Sequence, residues 1–389
     1  MQAVEPADLP SALAATLGGA GVPGASAAVA PLPIDPVERA ATLAMLRPEE
    51  PVTESDAGAV VVTSGSTGEP KGVVLSRAAI VASAEATHQR LGGPGDWLLA
   101  LPTHYVAGFM VLARTLVAGT KVHHVGRDLH GVPDALERTS RPSYLSVVAT
   151  QLSRALADPT LAAALARVDT VLLGGGPAPD SLLSRARAGG IRVVTTYGMS
   201  ETCGGCVYDG RPLDGVTVGI GERETVSLAG PMVFSGYRLR PDLTSAVLDG
   251  DRFRTSDRGR WHDGRLEVLG RLDDVVVSGG LNVDLGAVER AARPWAERRS
   301  GTVAVVGVPD REWGTAVIAV TDVLPDDRVD DPERQLAELR ADLARSLPPH
   351  ALPKRLVHRN PIPRTEGGKI DRHRLRTEIA VGPAMEGHR

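Results

Sequence analysis

The chain has 389 residues, 42% hydrophobic and 23% charged, with aromatics at only 3% and a formal net charge of −4. That length allows two domains, one large and one small, around cores built mostly from Val, Leu, Ala and Ile. The absence of a long basic run argues against nucleic acid as the main partner, and no apolar stretch approaches the length of a membrane span.

The N-terminus carries Glu5 and Asp8 and lacks a basic region ahead of an apolar one, so it reads as no secretory signal and a cytoplasmic protein is expected. Up to about Glu54 the chain is rich in Ala, Pro and Gly. Asp35-Pro36 there marks the N-cap and first residue of a helix reaching about Leu46. An apolar, β-branched run over 59–63 then enters Ser64, Gly65, Ser66, Thr67 and Gly68, with Lys71 close behind. This composition suits a phosphate-binding loop. Glycines admit backbone N–H groups close to phosphate oxygens, the hydroxyls add donors, and the lysine adds a point charge. The spacing does not fit a Walker A loop, and neither does the late glycine–lysine run ending at Lys369.

Helical patterns follow over 76–91 and 108–116, alternating with strand patterns over 97–101, 121–125, 144–148, 170–173 and 192–195. The last two end in GGGPAP, with Gly174, Gly175 and Gly176, and in YGMSE, with Tyr197, Gly198, Met199, Ser200 and Glu201. The alternation predicts an α/β fold with mainly parallel sheets. Ligands in such folds bind beyond the carboxyl ends of strands. Three motifs at such ends point to one shared site. Cys203 and Cys206 have C-x-x-C spacing, but zinc would need two further ligands that the sequence does not supply nearby. They read as reduced structural thiols in a glycine-rich loop.

From about 224 to 269 short strands with glycine turns predict a small β-rich subdomain. GRLDD, from Gly270 to Asp274, marks a change of character. Beyond it a strand–turn–helix unit starts at Val275, with Asp284 capping a helix that carries Glu289. Strands over 302–308 and 316–321, a helix over 332–346 and a strand over 355–358 complete a small α+β lid. The expected division is therefore 1–272 for a large N-terminal domain and 273–389 for a mobile C-terminal lid, with the hinge near Asp273.

These motifs, in this order and over nearly the whole chain, resemble the adenylate-forming superfamily of acyl-CoA synthetases, peptide-synthetase adenylation domains and luciferases. The resemblance implies an ATP-dependent ligase that forms an acyl-adenylate and then a thioester with coenzyme A. It implies that the loop from Ser64 to Lys71 holds the β- and γ-phosphates, that Gly174–Gly176 pack on adenine, and that Tyr197 stacks near it. Ser200 would contact the α-phosphate, and Glu201 with Thr67 would hold Mg2+. Asp257 would take the ribose hydroxyls, Arg271 would contact ribose or phosphate, and Lys369 would be the catalytic lysine. In the family the lid rotates about the residue matching Asp273 between the two steps, bringing in the turn at Gly279 beside the coenzyme A arm.

Within the superfamily the chain is most similar to the o-succinylbenzoate–CoA ligases of menaquinone biosynthesis. The features that carry this are the short N-terminal part, the run VVVSGGLNV from Val275 to Val283, and the segment LPTHYVAGFMVLAR from Leu101 to Arg114. A substrate with a second carboxylate needs a cation in its pocket, because an unpaired buried anion is costly. Arg114 is that residue in the resemblance, with His104 and Tyr105 lining the same pocket. The implied partners are a small aromatic carboxylate, ATP and coenzyme A, with no nucleic acid and no membrane. A homodimer stays open. So do a ligase for another aromatic or medium-chain acid, an adenylation enzyme serving a carrier protein, and a non-catalytic ATP-binding protein.

Overall fold

The computed structural model describes residues 1–18, 27–54, 56–63, 70–139, 142–323, 332–365 and 368–381. The chain divides into two compact units, one of Met1–Thr255 with Arg260–Glu267, the other of Ser256–Gly259 with Val268–Arg389.

Two sheets of the larger unit carry the predicted motifs, beside a third that includes Thr217–Ile220 and Thr225–Ala229. One of the two has five strands in the order Gln2–Val4, Val29–Pro31, Ala57–Thr63, Lys71–Ser76 and Gly236–Tyr237. The other has seven, in the order Arg211–Pro212, Gly204–Tyr208, Val193–Met199, Thr170–Gly174, Ser143–Val148, Asp96–Leu99 and Val122–His124. Its pairings from Val193–Met199 to Val122–His124 are all parallel, and Gly204–Tyr208 runs antiparallel beside Val193–Met199. The parallel strands read as continuous apolar runs because helices cover both faces of such a sheet. Leu98, Leu145, Val147, Val171, Leu173 and Val193 serve one buried cluster, while Trp97, Leu99, Tyr144 and Leu172 serve another. This second cluster includes the helices Arg77–Leu91 and Val106–Ala118. Ser76 caps the first of these through its hydroxyl, which accepts from the N–H of Ala79 at 3.0 Å. Asp35 caps Pro36–Leu46, accepting from Val37 and Glu38, as the sequence predicts.

Three local expectations change. The phosphate-loop motif does not follow a strand of the parallel sheet. It joins the antiparallel strands Ala57–Thr63 and Lys71–Ser76, with Thr63 opposite Lys71. The return strand is a short apolar run, and periodicity alone does not separate it from the helix it precedes. Second, Tyr197, Gly198 and Met199 lie inside the strand Val193–Met199 rather than after it. Third, Cys206 lies in the strand Gly204–Tyr208, not in a loop; the β-propensity of Val207 and Tyr208 outweighs the two glycines, and the register shifts between Gly205 and Val207. Both cysteines are free and buried. Burial raises both thiols, Cys206 to about 12, so neither is a ready nucleophile.

The smaller unit is a sheet of Leu281–Asp284, Val275–Ser278, Gly314–Thr321 and Val303–Asp310 in that order, with Arg355–His358 parallel to Gly314–Thr321. Val275 opens a hairpin that turns at Gly279 and Gly280 ahead of the helix Leu285–Glu297. Asp284 caps that helix, accepting from Ala287 N–H at 2.9 Å. Glu289 on the same helix is buried. It accepts from Val305 N–H at 3.0 Å and from the guanidinium of Arg372 at 2.7 Å. The helix Arg372–Val381 seats Leu375 and Ile379 against this sheet.

Candidate functional site

Ser64, Gly65, Ser66, Thr67 and Gly68 lie outside the described residues. Their neighbour Lys71 opens the return strand, with its Nζ 5.2 Å from the centroid of the Tyr237 ring. The Tyr237 hydroxyl donates to Oε1 of Glu201 at 2.8 Å. The structure thus brings together two residues predicted separately, Lys71 and Glu201, through a third that the sequence does not mark. Nothing local distinguishes Tyr237; its role arises from pairing across 36 positions of chain.

Ser200–Thr202 form one tight turn after the strand Val193–Met199. The Thr202 hydroxyl accepts from Met199 N–H at 3.0 Å and lies 2.7 Å from the carbonyl of Gly204, to which it donates. The carbonyl of Glu201 accepts from Phe234 N–H at 2.9 Å. Backbone and side chain of Glu201 are therefore both held. Gly198 pairs so closely with the next strand that a Cβ there would stand 2.0 Å from the carbonyl oxygen of Gly204. Only glycine fits the middle of this Tyr-Gly-Met segment.

Gly174 ends the neighbouring strand, next to the hydroxyl of Thr196, while a Cβ on Gly176 would meet nothing within 4 Å. The bare backbone at Gly176 thus offers a flat approach to a planar group. Among the described residues no cluster of three or more His, Cys, Asp or Glu could cage a metal ion. Glu201 offers a hard oxygen donor, which suits Mg2+: that ion commonly takes one or two protein carboxylates and fills its shell with phosphate and water.

His104 is buried, and its ring centroid lies 4.2 Å from that of Tyr105. Tyr105 occupies the N-cap position of the helix Val106–Ala118. Arg114, on the same helix, is only 4% exposed, with its guanidinium carbon 4.8 Å from the centroid of Trp97. Its Nε has no hydrogen-bond partner among the described residues. Burial lowers its affinity for the proton, opposed by Tyr208 and Cys203. An arginine still keeps its charge there. A buried guanidinium nitrogen without an acceptor is costly unless one arrives.

Asp257 and Arg271 belong to the smaller unit, where Arg271 donates to Asp257 at 3.2 Å and also holds Asp273. Gly279 has φ +58° in the turn between Val275–Ser278 and Leu281–Asp284. Lys369 sits on a tight loop: its carbonyl accepts from Thr365 N–H at 2.7 Å, and Arg364 bridges to Ile370.

Residues 10–240 match the family profile described as AMP-binding enzyme, and residues 301–369 match the AMP-binding enzyme C-terminal domain. The chain is similar to a probable 2-succinylbenzoate–CoA ligase of Mycobacterium tuberculosis, 42% identical over 87% of this chain and 89% of the relative. It is 30% identical to the 2-succinylbenzoate–CoA ligase of Enterococcus faecalis over 85% of this chain and 71% of that one. Among solved structures, it resembles o-succinylbenzoate CoA synthetase from Bacillus subtilis in complex with its acyl-adenylate intermediate. That match has a TM-score of 0.69 and 26% identity, covering 86% of this chain and 71% of the other.

Proposed function

Since this chain belongs to the AMP-binding enzyme family, we propose that its acid is o-succinylbenzoate, converted with ATP and coenzyme A to o-succinylbenzoyl-CoA, AMP and pyrophosphate in menaquinone biosynthesis. The chain is an AMP-forming acid–CoA ligase. The buried guanidinium of Arg114, whose Nε has no acceptor among the described residues, carries the choice of acid. It sits on the helix that opens at Tyr105, and an aromatic acid with a second carboxylate would supply the missing acceptor.

The reaction sets a carboxylate against a polyanion, so charge must be neutralised and the attacking oxygen held in line. Mg2+, when bound, would offset phosphate charge. Glu201 is the carboxylate we assign to it, with Thr67. Lys71 and the segment from Ser64 to Gly68 would hold the β- and γ-phosphates, and Ser200 the α-phosphate. Gly174–Gly176, Tyr197, Gly198 and Met199 would frame adenine, and Asp257 with Arg271 the ribose. Lys369 would stabilise charge spreading onto the α-phosphate in the first step. Residues 1–272 and 273–389 would act as the two functional domains, with Asp273 at the hinge and Gly279 beside the coenzyme A arm in the second step.

No described helix is long and apolar enough to cross a membrane. We infer a cytoplasmic enzyme that works without nucleic acid, and its assembly as a homodimer is open to sizing by light scattering. The direct test is thioester formation from o-succinylbenzoate beside plain benzoate. A preference for benzoate would overturn the choice of acid. ATP–pyrophosphate exchange without coenzyme A turnover would favour an enzyme serving a carrier protein.

A further inference from the structure

The geometry points to Tyr237 as a positioning residue that aims the Glu201 carboxylate and the Lys71 ammonium at the same triphosphate–metal group; this rests on the assignment of Glu201 to Mg2+ above.

The segment Phe234–Arg238 joins the two motif-bearing sheets of the larger unit at the site. On one side Phe234 N–H donates to the Glu201 carbonyl at 2.9 Å, fixing the turn that carries the carboxylate. On the other, Ser235 N–H donates to Val74 at 2.9 Å and Arg238 N–H to Gly72 at 2.7 Å, so the segment is laced onto the strand that Lys71 opens. Tyr237 pairs with Val73. Lys71 is then its diagonal neighbour on the same face of the sheet, within reach of a long side chain. The ring thereby lies near the lysine Nζ while the hydroxyl reaches Glu201.

The support behind Tyr237 is stiff. Its ring packs against Phe234 with centroids 4.9 Å apart, and Phe234 meets Phe253 edge-on at 5.3 Å. Its backbone N–H donates to the Thr244 hydroxyl at 2.8 Å. The adjoining Arg238 is buried and donates to the carbonyls of Leu46, Arg47, Glu50 and Pro51. A carboxylate that accepts from a fixed phenol keeps its other oxygen directed outward, which is how outer hydrogen bonds orient metal ligands.

Tyr237→Phe keeps the ring and its packing and deletes only the hydroxyl. Nucleotide affinity is read by calorimetry on the full chain, with ATP alone in EDTA and with ATP plus Mg2+. We expect affinity in Mg2+ to weaken about tenfold, the scale of one hydrogen bond to a charged group, with affinity in EDTA unchanged. The Mg2+ concentration for half-maximal ATP–pyrophosphate exchange should rise about as much. Equal losses with and without Mg2+, or no loss in either, would overturn the proposal, because a purely structural tyrosine has no reason to distinguish them. Glu201→Gln separates the two levels. If it raises the Mg2+ requirement and Tyr237→Phe does not, the tyrosine assignment alone fails. If neither does, the assignment of Glu201 fails with it.

Discussion

Arg271 grips Asp273 with two parallel bonds, Nε at 2.9 Å and Nη2 at 3.0 Å, leaving its remaining nitrogen for Asp257 at 3.2 Å. One planar guanidinium thus links the carboxylate assigned to ribose with the carboxylate assigned to the hinge. Arg271→Lys keeps the charge but cannot form the fork. KM for ATP should rise about tenfold in ATP–pyrophosphate exchange, the order expected for losing a charge-assisted hydrogen bond. The ratio of adenylation rate to thioester rate should change as well. Wild-type values for both would detach Arg271 from nucleotide and hinge alike.

For Arg114→Ala, KM for o-succinylbenzoate should rise about thirtyfold with KM for ATP unmoved, in keeping with the ~2 kcal/mol lower bound for truncating one member of a buried charge pair. Thioester formation across a series of o-succinylbenzoate concentrations measures it. Equal KM values would leave the arginine only its stacking on Trp97.

Lys369→Ala should abolish adenylate formation yet spare thioester formation from chemically prepared adenylate. Single-turnover assays of each half-reaction decide this. Equal loss in both halves would contradict a lysine used in the first step alone.

At Gly279 a Cβ would meet the Trp313 ring at 3.0 Å, on a backbone that L side chains rarely adopt. Gly279→Leu should therefore impair coenzyme A turnover while ATP–pyrophosphate exchange persists. Unchanged coenzyme A turnover would remove that turn from the second step.

His88 offers a pH prediction. Burial, then the nearby Arg114 charge, lowers its pKa from 6.5 to about 4. Its folded value lies below its unfolded one, so the unfolded chain binds the extra proton first as the solution is acidified. His88 therefore takes stability away progressively between about pH 6.5 and pH 4 and has no effect above that window. His88→Gln should flatten that part of a melting-temperature profile. A profile identical to the wild type's would exclude His88 as a source of acid sensitivity.

Much of the fold is legible in local chemistry. Asp35-Pro36 announces its helix because cap and proline act within one turn. The strand Arg355–His358 is bounded by breakers on both sides. The strand Lys71–Ser76 is not legible, since a short apolar run next to a helix carries no period of its own until Ala57–Thr63 pairs with it. The site divides in the same way. Glu201 and Lys71 stand in recognisable motifs, whereas Tyr237 becomes meaningful only when two sheets meet around it. Arg238, likewise, gains its partners only when four carbonyls of a distant segment converge on it.

Arg372 lies just past Lys369 on the chain, and its ion pair with Glu289 fastens the start of the terminal helix to the interior of the smaller unit. Stepwise digestion from the carboxyl end would reach Ile379 and Leu375 before it reached the lysine. Carboxypeptidase nibbling should therefore register as a plateau of adenylating activity followed by sudden collapse, well before the lysine itself is cleaved away.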